Sequence, residues 1–229
     1  MGLNPYWMYI RDDILTKIYP NARTEAELKA LYQEKGYLDW NDVIGDVPLR
    51  TTEDLTNFFQ KIKDLNLKTE DGFDIIPAHP MINKDLHSAM WSAYTQGGFW
   101  WTGFDAALLT KGENVQFVFD SPEWKEYMRW FNTLWNKELL DKEVFIQDDN
   151  QRQSKVITGR YASFQAWQDI NGAREYAKEN GYDYGFRKFP ILPIEANTAV
   201  QDANYQAYDL RATYNGVIVS KNLDEKDIP

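Results

Sequence analysis

A chain of 229 residues with 35 Asp and Glu against 25 Lys and Arg carries a formal net charge of −10, which excludes the cationic stripe that a nucleic-acid backbone requires and suits an anionic lipid surface poorly. It has no cysteine, so disulfides, thiolate nucleophiles and Cys-based zinc sites are excluded, and its 13 Gly and 9 Pro are too few for a collagen-like or low-complexity chain. The hydrophobic share of 43% is that of an ordinary globular protein of one large or two small domains; the departure is aromatic, with 9 Trp, 14 Tyr and 12 Phe.

Residues 6–11 are aromatic and β-branched and predict a strand. Asp12 or Asp13 is expected to cap a short helix ending before Pro20. A helix is predicted over 24–35, stopped by Gly36. A second, over 51–65, has Thr51 or Thr52 as cap, Glu53 and Asp54 in its first turn, and Leu55, Phe58, Phe59 and Ile62 at helical spacing. Residues 73–77 predict a short strand ending at Pro77, and 86–96 a helix ended by Gly97 and Gly98. After the block Phe99-Trp100-Trp101, the run 108–119 has the pattern of a hairpin turning at 111–114. Ser121-Pro122-Glu123 joins three independent helix-start signals, and the stripe Trp124, Tyr127, Met128, Phe131, Leu134 and Trp135 predicts a buried helix to about residue 140. Helix over 151–158, turn and strand over 159–164, helix over 169–180 closed by Gly181, and strand over 184–189 follow. Residues 195–211 are polar and irregular, and 214–220 predict a last strand. Strands and helices alternate, helices dominating, which is an α/β layout.

Familiar catalytic frames are missing. There is no phosphate-binding GxxxxGK[ST], and Gly97-Gly98 lacks the strand-before, helix-after context of a dinucleotide site. Ser163 has no G-x-S-x-G frame. His79 and His87, eight apart around Pro80, are expected as loop or helix-edge imidazoles rather than metal ligands. The acids between 141 and 149 lack calcium-loop spacing. Among 35 acids some pair always fits a glycosidase, so that coincidence has no weight. No apolar run approaches the ~20 residues of a membrane span, and the N-terminus lacks the basic and apolar regions of a signal peptide.

The aromatics offer a binding chemistry instead. Trp100 and Trp101 are consecutive, so a strand would turn them to opposite faces and leave one for a cleft or solvent. Trp167 stands among Gln165, Gln168 and Asp169 just after a predicted strand. An indole beside amides and a carboxylate suits a sugar, whose CH groups stack on the π face while its hydroxyls pair with polar tips. The alternative is a half-buried Trp covering the core.

Several segments, in order, resemble a known family. Tyr9-Ile10-Arg11-Asp12-Asp13-Ile14-Leu15 is similar to its strand and following R-x-D-x-L turn, and Pro48-Leu49-Arg50-Thr51-Thr52-Glu53-Asp54-Leu55 to its P-x-T helix start. Val115-Gln116-Phe117-Val118-Phe119-Asp120-Ser121-Pro122-Glu123 is similar to the hairpin strand entering the S-P-E helix, and Thr158-Gly159-Arg160-Tyr161-Ala162 to the strand leading to an aromatic, here Trp167. Tyr214-Asn215-Gly216-Val217-Ile218-Val219-Ser220-Lys221-Asn222 is similar to its returning strand. The family is that of the extracellular solute-binding proteins of ABC importers, family 1, of the maltose-binding-protein kind, and within it the lipoproteins of Gram-positive bacteria. One departure is Ser163, where many relatives carry Met.

The resemblance implies a bilobal fold, periplasmic-binding-protein-like type II, of which this chain is a helix-rich lobe with short strands. Residues 1–213 are expected to form mainly the second lobe, and 214–229 a strand and linker returning toward a first lobe that the chain lacks, as it lacks a lipobox signal. It further implies an extracellular, membrane-anchored lipoprotein in full length. The expected partners are a carbohydrate, bound between the lobes, and the ABC permease; a monomer, no catalysis and no cofactor are expected. Trp167 is the first candidate to stack on a sugar, with Trp91, Trp100 and Trp101 lining the cleft and Asp169 and Arg211 bonding hydroxyls. Half a cleft predicts millimolar affinity at best, roughly −4 kcal/mol. Two other readings stand beside this one: a polysaccharide-active glycoside hydrolase domain, which needs an essential carboxylate, and a structural or adhesion domain, in which the aromatics are core.

Overall fold

In a computed structural model, residues 7–79, 100–101, 108–111, 114–117, 120, 122–164 and 170–190 are described. The chain begins with β1 (Trp7–Arg11) and α1 (Asp12–Ile18), then α2 (Glu25–Lys35), α3 (Trp40–Ile44) and α4 (Thr52–Asp64). Next come β2 (Ile76–His79), β3 (Trp100–Trp101), β4 (Leu108–Lys111), β5 (Asn114–Phe117) and α5 (Pro122–Asn136). The rest is α6 (Asp149–Ile157), β6 (Tyr161–Phe164), α7 (Ile170–Glu179) and β7 (Phe186–Pro190). It is a mixed α/β architecture.

Helix starts are fixed by side chains. Thr24, Asp39, Thr51 and Asp148 each accept the N–H of the residue three on, and Glu27, Asp42, Asp54 and Gln151 return the bond to the cap's own N–H. These reciprocal boxes satisfy donors that a helix leaves open at its N-terminus. Gly36, at φ +76°, ends α2 in the left-handed region that a Cβ disfavours. α5 stops at Asn136, short of the expected residue 140. Glu138 turns left-handed at φ +56°, donating to Trp135 O while Leu139 donates to Leu134 O, a Schellman closure.

The main sheet has the order β2-β6-β1-β7. β2 and β6 are parallel, and β1 is antiparallel to both β6 and β7, so three strands run one way and β1 alone runs against them. The opening strand is thus inserted between two of the latest. Pairing matches Ile10 with Arg187 and Ser163, and Ala78 with Ser163. Alternation along β1 sends Met8 and Ile10 into a core with α1, α4 and α5, and Tyr9 into a smaller one with Tyr161, Phe164, Phe186 and residues of α6 and α7. Fully burying Phe58, Ile10 or Leu28 contributes about 1.5–3 kcal/mol each. Trp130 Nε1 donates to Thr56 Oγ1 at 2.8 Å, fixing α5 on α4. A second sheet, β3-β4-β5, contains the expected hairpin, with Lys111 opposite Asn114.

Two further expectations need correction, and one element was not anticipated. Asp12 does not cap α1, whose N-cap is Arg11 with no side-chain bond; its carboxylate accepts from Glu25 N and Gly185 N, at 2.8 and 2.7 Å, joining α2 to the approach to β7. β2 does not end at Pro77 but runs through it to His79, a proline being tolerated in the outermost strand of the sheet order. α3 was not expected; five residues carry no periodicity, and only its capping box marks it. The expected helix 86–96, the final strand 214–220 and the lobe boundary at 213 lie outside the described residues.

Candidate functional site

The sheet has two dissimilar edges. β2, β6 and β7 end at His79, Phe164 and Pro190, and their register places these ends together with Trp7, the start of β1: His79 pairs with Phe164, Phe164 with Tyr9, and Trp7 with Pro190. This carboxyl edge is where open α/β sheets form ligand crevices. A bridge between Ala78 and Leu140, also parallel, sends the turn 141–148 toward the same edge.

Under that turn lies a buried polar cluster. Asp141 Oδ2 accepts from Lys155 Nζ of α6 at 2.7 Å and from the Tyr161 hydroxyl of β6, and Asp141 Oδ1 accepts from Glu143 N at 2.9 Å. Lys155 Nζ also donates to Glu143 Oε2 at 2.6 Å. Burial pushes the Asp141 carboxyl up, but the bonds from Lys155 and Tyr161 outweigh it, and it titrates below the usual carboxylate range. The Tyr161 hydroxyl is raised by burial and by its bond to Asp141. Beside it stands the His79 ring, its centroid 4.9 Å from that of Tyr161. Burial, assisted by the charge of Arg152, holds this imidazole neutral, its pKa pushed down to about 3. His79 is therefore not a loop or helix-edge residue: it closes a strand and is 3% exposed. Above the cluster, Phe145 and Ile146 are 50% and 76% exposed, and Phe145 packs on Trp135, ring centroids 5.2 Å apart.

The opposite, amino edge is bonded within itself. Arg11 donates to Gly159 O at 2.8 Å and to both carboxylate oxygens of Asp13, and its guanidinium sits 3.8 Å over the Tyr184 ring. Gly159, at φ +67°, allows that approach, because a Cβ there would meet Tyr184 Oη at 2.5 Å and Arg11 Nη1 at 3.1 Å. Glu25 accepts from Phe186 N and Arg174 Nη2, and these bonds outweigh the upward push of burial to lower its pKa.

Of the residues expected at the site, Trp100 and Trp101 occupy β3, opposite Thr110 and Leu109 in the smaller sheet. Trp91, Trp167, Asp169 and Arg211 lie outside the described residues. In sequence, Trp167 and Asp169 fall between Phe164, the end of β6, and Ile170, the start of α7. The described structure does not bring the six together. Sequence reasoning missed His79, Asp141, Gln147, Lys155 and Tyr161 as a group. The one available signal was the acid run from 141 to 149, which calcium-loop spacing failed to explain. Among the described residues, no group of three or more His, Cys, Asp or Glu is arranged to hold a metal ion, and no helix is long and apolar enough to cross a membrane.

No protein-family profile matches the chain, and no curated protein matches it. Among solved structures it is similar to two of the same Streptococcus pneumoniae protein. One is the ABC-transporter substrate-binding protein FusA, EF-hand mutant, in complex with fructo-nystose: 17% identity, TM-score 0.45, 75% of this chain and 29% of that one covered. The other is FusA in complex with kestose: 20% identity, TM-score 0.45, 71% of this chain and 39% of that one covered. The chain thus spans well under half the length of these structures.

Proposed function

We propose that the chain is one lobe of the substrate-binding component of an ABC importer, of the family 1 type, and that it binds a carbohydrate reversibly at the carboxyl edge of its main sheet for delivery to a membrane permease. The observation that carries this reading is the convergence at one edge of three strand ends and the start of the fourth strand, with Trp167 and Asp169 following the end of β6 in the sequence. Trp167 stacks on a sugar ring, Asp169 and Arg211 bond its hydroxyls, and Trp91, Trp100 and Trp101 add aromatic surface. The insertion of β1 in mid-sheet suits a lobe entered by a crossing strand. Hinge closure of two lobes would bury the ligand and form the surface read by the permease. The full-length protein is then an extracellular lipoprotein, working as a monomer, with no catalytic step.

Titration with oligosaccharides, followed by the fluorescence of the 9 tryptophans, tests this. The panel includes neutral and acidic plant-type sugars and the fructans kestose and nystose, taken to high millimolar. A saturable change for one sugar class, lost in Trp167→Ala and accompanied by no breakdown of the sugar, supports the reading. Product formation abolished by removing a single carboxylate would replace it with a glycoside hydrolase. No response to any sugar removes the carbohydrate assignment.

A further inference from the structure

Two buried side chains, Gln147 of the turn 141–148 and His79 at the end of β2, hold hydrogen-bonding capacity that the fold does not use. His79 is 3% exposed and neither Nδ1 nor Nε2 has a partner; Gln147 is 7% exposed and its Nε2 has none. Tyr161 joins them, its ring against the imidazole and its hydroxyl 3.4 Å from Gln147 Oε1. The hydroxyl has one proton, and Asp141 receives it, so the Gln147 amide gains little from that contact. Buried polar groups are nearly always satisfied by protein or by ordered water. Elsewhere, the bare Nε atoms of Arg174 and Arg187 belong to guanidinium groups that carboxylates already hold. His79 differs because both of its ring nitrogens are bare.

Charge decides what could complete this arrangement. A cation would need the carboxylates of Asp141 and Glu143, and Lys155 Nζ already occupies both. An anion would face Asp141, and the nearby cations are already paired, Arg152 with Asp149 and Lys155 with Asp141 and Glu143, which leaves neutral imidazole and amide donors to hold it. A neutral imidazole offers one N–H and one lone pair, and the amide offers two N–H. An O–H group accepts from one and donates to the other.

We propose that His79 and Gln147 form a buried subsite for one neutral hydroxyl group, supplied either by an ordered water or by a hydroxyl of the bound carbohydrate. The carbohydrate source rests on the proposed function; the water source does not. No bond joins His79 to Gln147 directly, so a shared hydroxyl would make their substitutions interdependent.

The test is a double-mutant cycle in the full chain with His79→Phe, which keeps an aromatic ring against Tyr161, and Gln147→Met, which keeps chain length. Denaturant unfolding is read in buffer and again in the saturating sugar that gives the largest fluorescence response. A coupling of about threefold or more in the unfolding constant in buffer, kept in a Tyr161→Phe background that removes the hydroxyl touching Gln147, assigns the subsite to water. Coupling that arises only with sugar assigns it to the solute. Additive effects in both conditions, whether stabilising or destabilising, overturn the proposal. Should either variant fail to fold, the ¹⁵N resonances of the unsubstituted His79 decide, with His87→Asn removing the other histidine. A non-protonated ring nitrogen displaced from its unbonded position, in buffer or with sugar, supports an O–H partner, and an undisplaced one overturns it. The buffer arm uses no transport function, so its failure leaves the carbohydrate titration standing.

Discussion

At the amino edge of the main sheet, Arg11 directs its guanidinium to Asp13 and Gly159, and Asp12 and Glu25 accept the N–H groups of Glu25, Gly185 and Phe186. At the carboxyl edge, under 20 Å away along four- and five-residue strands at ~3.3 Å per residue, His79 bonds to nothing through its nitrogens and Gln147 has an unused amide. Both regions bury charge. The first uses it to join α1, α2 and β7, the last far from the others in sequence. The second holds a turn over a strand end while leaving polar groups open. Such a division is expected where one edge of a sheet serves the fold and the other serves a ligand.

The largest expected effect comes from breaking the first region. Arg187, fully buried in β7, donates to both carboxylate oxygens of Asp46, to Arg23 O and to Val43 O. Asp46→Ala leaves that guanidinium charged and uncompensated in the interior, at a cost of about 3–5 kcal/mol. Denaturant unfolding reads the loss, and a change below 1 kcal/mol would mean that the two edges do not differ in this way.

Acid separates the regions next. A histidine held near pKa 3 when folded binds its proton at about 6.5 when unfolded. The unfolded state then carries more protons between pH 3 and 6.5. His79 therefore lets the full stability stand above pH 6.5 and removes it progressively as pH falls toward 3. At pH 5 the loss is about 2 kcal/mol. Between pH 5 and 7 Glu25 and Asp141, whose pKa values are lowered, are ionised when folded and largely so when unfolded and add little, while Asp12, raised by burial, acts in the opposite sense to His79. His79→Phe in a His87→Asn background should flatten the slope in that window. An unchanged slope would show that the imidazole is not the titrating group.

Much of the local structure was legible in the sequence, and the reason is proximity. Thr24 with Glu27, and Thr51 with Asp54, are three residues apart, so capping is written into short strings. The hairpin at 111–114 is equally local. Sheet order was not legible: β1 pairs with strands more than 150 residues later, and one strand's pattern cannot name its neighbour. Asp12, read as a helix cap, instead serves Glu25 N and Gly185 N, acceptors being interchangeable in sequence and distinguished only by packing. At the site, aromatic candidates were chosen because indoles announce themselves. His79 was read as a loop or helix-edge imidazole beyond a strand ending at Pro77, whereas the strand continues through that proline.

The smallest effect tests how firmly the second region is built. α6 has nine residues, too few to be stable alone, and it supplies Lys155 to Asp141 and Glu143. Its start depends on Asp148, which accepts from Gln151 N at 2.8 Å while Gln151 Oε1 accepts from Asp148 N at 2.9 Å. Asp148→Ala removes one half of that box and should cost about 1 kcal/mol. Lys155 lies two turns further on, held by two carboxylates, so the loss should be confined to the first turn. Amide exchange separates the outcomes: faster exchange limited to the start of α6 means the cluster anchors the helix without its cap. Faster exchange extending through Lys155 to Tyr161 means the cap, the cluster and the strand open as one unit, and the region under the turn 141–148 is then the less stable of the two.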